Sequence, residues 1–200
     1  MSVLDEFDAV LRREYPLLCG VDEAGRGPLA GPVCCAAVIL DPDNPVEGLN
    51  DSKKLTEKKR EALYPQIMEK ALAYSIVFVE EATIDEINIL QATMLGMRQA
   101  VQGLSVIPDH ILIDGNKCPE GLPAGCRYVI GGDAKSASIA AASILAKVTR
   151  DHYMIELDEK FPQYGLAKHK GYGTKQHYES IREFGLQPFH RRSFLKNYHE

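Results

Sequence analysis

Apolar residues fall in two rhythms along this chain. Short, mostly apolar runs at 17–21, 33–40, 74–79, 110–113 and 127–130 have the length of buried strands. Around them, apolar positions recur at helical spacing over 3–14, 56–71, 84–101, 136–159 and 174–183. Two strands precede the first long internal helix, and strands and helices then alternate. That order predicts an α/β fold, a mixed sheet flanked by helices. The last forty or so residues carry no strand signal and predict a helical C-terminal extension. One domain over 1–200 is therefore expected, with residues 160–200 as an appendage. The opening helix should bury Val3, Leu4, Phe7, Val10 and Leu11. In helix 136–159, Ala137, Ala140, Ala141, Ile144 and Val148 share a face, and its many Ala and Ser residues permit close approach to another element. Asp151 falls on that face two turns beyond Ile144 and should point inward, where an acid needs a partner or a task.

The longest apolar run is far short of a membrane span of about 20 residues, and no secretory signal opens the sequence. A cytoplasmic protein without membrane contact is expected. Cys34 and Cys35 lie in an apolar run and read as buried thiols. Cys118 and Cys126 could bridge a loop, but in a reducing compartment free thiols are favoured.

The net charge of −5 argues against a nucleic-acid partner only until its distribution is considered. Residues 160–200 hold eight Lys or Arg against three Glu, a local +5, so the first 159 residues carry −10. A basic tail on an acidic body suits a phosphate backbone held against acidic metal ligands.

The acids then become specific. Asp22 and Glu23 close the first strand and run directly into Ala24-Gly25-Arg26-Gly27-Pro28. Neighbours on a strand point to opposite faces, so both can serve one site only where the strand ends or bends, and the glycines supply that bend. Asp114 ends the apolar strand at 110–113, and Asp133 sits in Gly131-Gly132-Asp133 ahead of the Ala/Ser-rich helix. Taken singly, Asp114 reads better as an ordinary Asp-Gly turn, and Asp133 reads equally well as a helix-start acid. Together they form an oxygen-rich set suited to Mg²⁺ or Mn²⁺, and hence to phosphodiester chemistry. Arg26, Lys53 and Lys54 belong to loops near this set, whereas Lys58, Lys59 and Arg60 should decorate a solvated helix face. Lys168-His169-Lys170-Gly171-Tyr172-Gly173 interleaves cations with an aromatic that can stack on a sugar or base. His190-Arg191-Arg192-Ser193 is a weaker candidate for phosphate contact. His169, His177, His190 and His199 show no metal-ligand spacing and are expected mostly at the surface.

On these residues the chain resembles ribonuclease HII, the bacterial type 2 ribonuclease H. The resemblance rests on 22–28, on Leu49-Asn50-Asp51-Ser52-Lys53-Lys54-Leu55, on 112–116, on the stretch 138–151, on 161–165 and on 169–174, in that order. It implies a ribonuclease H-like fold with a helical C-terminal extension. It implies an endoribonuclease that cuts the RNA strand of RNA–DNA hybrids, and cuts 5′ to single ribonucleotides in duplex DNA. The products would be a 5′-phosphate and a 3′-hydroxyl. The catalytic acids would be Asp22, Glu23, Asp114 and Asp133, the first three as ligands of two Mg²⁺ or Mn²⁺ ions. Asp151 would support the site or stand as an alternative fourth acid. Gly25, Arg26 and Gly27 would sense the ribose 2′-hydroxyl, Ser52 and Lys53 would contact substrate, and Tyr172 would pack at the ribose-to-deoxyribose junction. A monomer is expected, with hybrid and ribonucleotide-containing duplexes as partners. A DNA junction resolvase would share the acids, and cleavage of an all-DNA duplex would separate the two readings.

Overall fold

The computed structural model describes residues 3–196. Helix α1 (Val3–Arg12) leads into β1 (Leu18–Ala24), which pairs antiparallel with β2 (Val33–Leu40). Helix α2 (Glu57–Lys70), capped by the Thr56 side chain, precedes β3 (Ala71–Val79), antiparallel to β2. Helix α3 (Glu81–Gln102) crosses to β4 (His110–Asp114), which lies parallel to β1, and β5 (Gly125–Val129) adds in parallel at the edge. The result is one mixed sheet in the order β3-β2-β1-β4-β5. Helix α4 (Ala137–Lys160) is followed by the short α5 (Leu166–His169) and by α6 (Lys175–Phe184).

The all-apolar run of β2 is buried at every position because both faces of the sheet are covered. Cys34, Ala36, Val38 and Leu40 pack toward α4 and α2, while Cys35, Ala37 and Ile39 pack toward Met97, Ala100 and Val101 of α3. Small residues let the helices come close. A Cβ on Gly20 of β1 would lie 2.1 Å from the Ser138 backbone carbon of α4. Helix α3 is not continuous: Asn88 has φ 67°, and its Oδ1 accepts from the amides of Leu90 and Gln91, capping a second helical segment.

Two expectations change at this level. Val3 and Val10 of α1 are largely exposed, and the inward position belongs to Asp8, which is fully buried. Its Oδ2 accepts from the Ser138 amide (2.8 Å) and hydroxyl (2.7 Å), so a remote acid caps the start of α4. The expected free thiols at Cys118 and Cys126 are instead bonded to each other, closing the loop between β4 and β5. Cys19, Cys34 and Cys35 are free and buried. The C-terminal segment is helical as expected, and it packs tightly: Leu166, Ile181, Phe189 and Leu195 share a cluster with Leu29, Ala30 and Met154. Among the described residues, no helix is long and apolar enough to cross a membrane.

Candidate active site

Strand pairing brings the acids together. The parallel register of β1 and β4 places Val21 opposite Ile113, so Asp22 and Asp114 follow at neighbouring strand ends. This is the crevice outside the carboxyl ends of parallel strands, where α/β sheets place ligands. Asp22 lies on the same strand face as Gly20, toward α4, where the Ser143 hydroxyl favours its charged form. The Ser143 hydroxyl is also 2.8 Å from that of Ser52. Glu23 follows on β1, Ala24 ends the strand, and the chain turns at Gly25 with φ 93°. Asp22, Glu23 and Asp114 thus line one cleft of about 220 Å³. Gly25, Arg26, Ser52, Lys53 and Tyr172 line it too, as the sequence suggested. Gly27 lies beside it, where a Cβ would come 3.4 Å from the Tyr172 ring. Two larger cavities, of about 410 and 460 Å³, contain none of the four acids.

The electrostatics of the cleft are strained in one direction. Burial pushes the Asp22 carboxyl well above its ordinary pKa, and the charges of Glu23 and Asp114 push it further. Glu23 is raised by burial and by Asp114, against the pull of Arg26, whose guanidinium is 3.5 Å away. Asp133 is likewise raised by burial and by Asp114. Like charges held in a partly dry cleft call for a cation. The donor set is all carboxylate, which suits a hard divalent ion such as Mg²⁺ or Mn²⁺. Each acid currently has another partner. Asp22 Oδ1 accepts from the Glu23 amide at 2.7 Å, and Asp114 Oδ1 from the Gly132 amide at 2.6 Å. Accordingly, no three acidic, imidazole or thiol groups among the described residues are already drawn together at metal-ligand spacing.

A family model described as Ribonuclease HII matches residues 19–197. The chain belongs to the ribonuclease HII family. Ribonuclease HII of Acinetobacter baylyi is 60% identical over 178 residues, which cover 89% of this chain and 94% of that one. The Aliivibrio fischeri (strain MJ11) protein of the same name is 62% identical over 180 residues, 90% of this chain and 86% of its own. The crystal structure of the ribonuclease H2 from Pyrococcus horikoshii OT3 matches with a TM-score of 0.74 at 31% identity, covering 88% of this chain and 92% of that one. As a ribonuclease HII family member the chain is a metal-dependent hydrolase of the ribonuclease H type, built on the ribonuclease H-like fold.

Other members of the constellation stand at one remove. Asp133, on the 3₁₀ turn Gly132–Ala134, does not line the cleft but meets Lys53 Nζ at 3.5 Å, and Lys53 does line it. Asp151 points inward as expected and pairs with Lys147 at 2.7 Å, placing the Lys147 ammonium at the cleft wall. Lys54 turns away to Asp51, 3.9 Å off.

Several residues in and around the cleft carry roles that the sequence hid. Arg60 is not a solvated surface cation. It lines the cleft and donates to the carbonyls of Ser52 (2.9 Å) and Leu55 (2.7 Å), fixing the Ser52-Lys53 loop. Its only sequence signal was its closeness to that loop. Arg191 is no phosphate contact either, being fully buried. His169, His177 and His190 are buried rather than exposed, and His199 lies outside the described residues. The three rings form a relay whose tautomers follow from its partners. The Gln187 amide donates to His190 Nδ1 (2.9 Å), leaving His190 Nε2–H for His177 Nε2 (3.2 Å), and His177 Nδ1–H for the Tyr172 carbonyl (3.0 Å). His169 donates from Nε2 to the Tyr164 carbonyl at 2.8 Å and accepts the Gly171 amide at Nδ1. All three are neutral, in keeping with burial that lowers their pKa, to about 4 for His177 and for His190. The relay thereby holds Tyr172, whose ring is half exposed at the cleft.

Proposed function

We propose that this chain is an endoribonuclease that hydrolyses the RNA strand of RNA–DNA hybrids and cuts 5′ to single ribonucleotides embedded in duplex DNA. The observation that carries the reading is the meeting of Asp22, Glu23 and Asp114 in one cleft with the Gly25-Arg26 turn and Tyr172. In it, Asp22, Glu23 and Asp114 hold two divalent ions, with Asp133 as the fourth acid. The chemistry supplied by Mg²⁺ or Mn²⁺ at such a set is an acidified water and charge stabilisation of the departing 3′-oxygen. Ser143 and Ser52 orient Asp22. Asp151 holds Lys147 at the cleft wall, where the ammonium faces the phosphate path. Lys53 and Arg26 meet phosphates, which position the duplex without reading its bases. The backbone of 25–27 reads the 2′-hydroxyl, the group that distinguishes RNA from DNA. Tyr172 packs at the ribose-to-deoxyribose junction. The products are a 5′-phosphate and a 3′-hydroxyl.

The same reading makes residues 1–200 one catalytic unit, with the basic segment 160–200 holding the substrate turn, and places the protein in the cytoplasm as a monomer. The contacts of Leu166, Ile181 and Phe189 with Leu29 and Ala30 support that arrangement. The test is a labelled DNA duplex with one ribonucleotide, offered with Mg²⁺, with Mn²⁺ and with chelator. A single cut 5′ to the ribonucleotide, lost on chelation, is expected. Equal cutting of an all-DNA duplex would instead favour a resolvase-like nuclease.

A further inference from the structure

The turn that follows the catalytic acids is held from beneath by a side chain more than 160 residues away. Arg191 is fully buried, and each of its three guanidinium nitrogens donates to a backbone carbonyl. Nη2 donates to the Gly25 carbonyl (2.6 Å), Nη1 to the Arg26 carbonyl (2.9 Å) and Nε to the Gly31 carbonyl (2.8 Å). The residue is itself located by backbone pairing. The Arg191 amide donates to the Leu29 carbonyl, and the Gly31 amide to the Phe189 carbonyl, around a bridge between Ala30 and His190. Arg150 fills the adjacent space and binds the carbonyls of Ala30, Pro32 and Lys170. Two guanidiniums held close together carry a cost that the charges of Glu81 and Asp85 offset only in part. Burial and the Arg150 charge lower the Arg191 pKa to about 9. A merely packing role would be met more cheaply by an apolar side chain, so the fork needs another reason.

Peptide geometry supplies it. In a trans peptide the C=O of one residue and the N–H of the next point in opposite directions. Drawing the Gly25 carbonyl down onto Arg191 turns the Arg26 N–H the other way. Drawing down the Arg26 carbonyl does the same for the Gly27 N–H. Gly25 and Arg26 form a wall of the cleft, and Gly27 faces the Tyr172 ring. We infer that Arg191 is the positioning residue for sugar discrimination: by pinning two consecutive carbonyls it fixes the Arg26 and Gly27 amides as the donors that recognise the ribose 2′-oxygen. This rests on the assignment of the 25–27 turn as the sugar reader, and it adds which backbone atoms read and which residue aims them. A lysine at 191 could keep the charge and satisfy at most part of this fork.

The test is single-turnover cleavage of three duplexes that differ only in one 2′ group, hydroxyl, fluoro or hydrogen, by the wild-type enzyme and by R191K and R191Q. The expected result is a wild-type preference for the hydroxyl that falls by about tenfold or more in R191K, the worth of a well-made hydrogen bond. Rates on the fluoro and hydrogen duplexes and the duplex affinity should stay unchanged. Equal loss on all three substrates, or an unaltered preference, overturns the inference. Absence of any hydroxyl preference in the wild type overturns instead the reading of the turn as sugar reader. Should neither variant fold, backbone amide resonances of wild-type protein, titrated in Ca²⁺ with the hydroxyl and hydrogen duplexes, decide the matter. The Arg26 and Gly27 amides must then respond differently to the two, and identical responses sink the proposal.

Discussion

At the scale of single residues, the cleft is organised around unfavourable charge. Asp22 is nearly inaccessible, and Glu23 and Asp114 both disfavour its ionisation, so the acids stabilise nothing by themselves. Their arrangement makes sense when a cation offsets them. Asp114→Asn removes one negative charge and one metal ligand while keeping the shape and an oxygen for the Gly132 amide. Cleavage should fall by a factor on the order of 10³ or more, with thermal stability retained or slightly raised. Turnover at saturating Mg²⁺ near the wild-type rate would remove Asp114 from the metal site. Addition of Mg²⁺ or Mn²⁺ should raise the melting temperature of the wild-type protein by several degrees and that of Asp114→Asn by much less. Equal shifts in a thermal melt would mean that the ions bind elsewhere.

Secondary-structure elements bring those residues into range by close contact, and Gly20 is the tightest point. Gly20→Ala places a methyl carbon against the α4 backbone, forcing strand and helix apart. A loss of about 1–3 kcal/mol is expected in chemical denaturation, with reduced activity because Ser143 moves away from Asp22. Unchanged stability would show that α4 can yield there. The histidine relay gives a second test. His177 and His190 are neutral in the fold at a pKa of about 4 and titrate near 6.5 when unfolded. For groups with a depressed folded pKa, their contribution is full above pH 6.5 and is lost as the pH falls toward 4. Each should add up to about 1.4 kcal/mol per pH unit to the acid loss of stability across that window. His190→Gln should flatten the dependence in melts between pH 7 and pH 4.5, and an identical slope would place the acid sensitivity elsewhere. These elements also mark how far the sequence could be read. All five strands and the main helices were legible, because long periodic segments announce their buried faces. Asp22, Glu23 and Asp114 were legible because they lie at or near the end of an apolar strand that runs into a glycine turn. Asp8, Arg60, Arg191 and the three histidines were not. Asp8 and Arg191 bind backbone more than a hundred residues away, while Arg60 and the histidines bind nearby loop backbone or each other, and neither kind of pairing leaves a periodic signal. The inward-facing hydroxyl of Ser143 was likewise masked by the small-residue pattern of α4.

Across the whole molecule, charge is divided between an acidic body and a basic end, and the cleft lies where they meet. Exposed Lys53 and Lys168 are the cations best placed to test this division. Lys53→Ala and Lys168→Ala should each lower the slope of log affinity against log salt by about one, the signature of one lost phosphate contact. A slope unchanged in both would place the duplex along another face. The pairing of residues 29–31 with 189–191 has a consequence in time as well as in space. Synthesis runs from the N-terminus, and a domain folds as a unit. The strands and acids that would cut are complete many residues before Arg191 exists to aim the amides. On the proposed reading, the last residues to be made therefore complete the means of telling ribose from deoxyribose. A chain interrupted near its end would lack its discrimination before it lacked its acids.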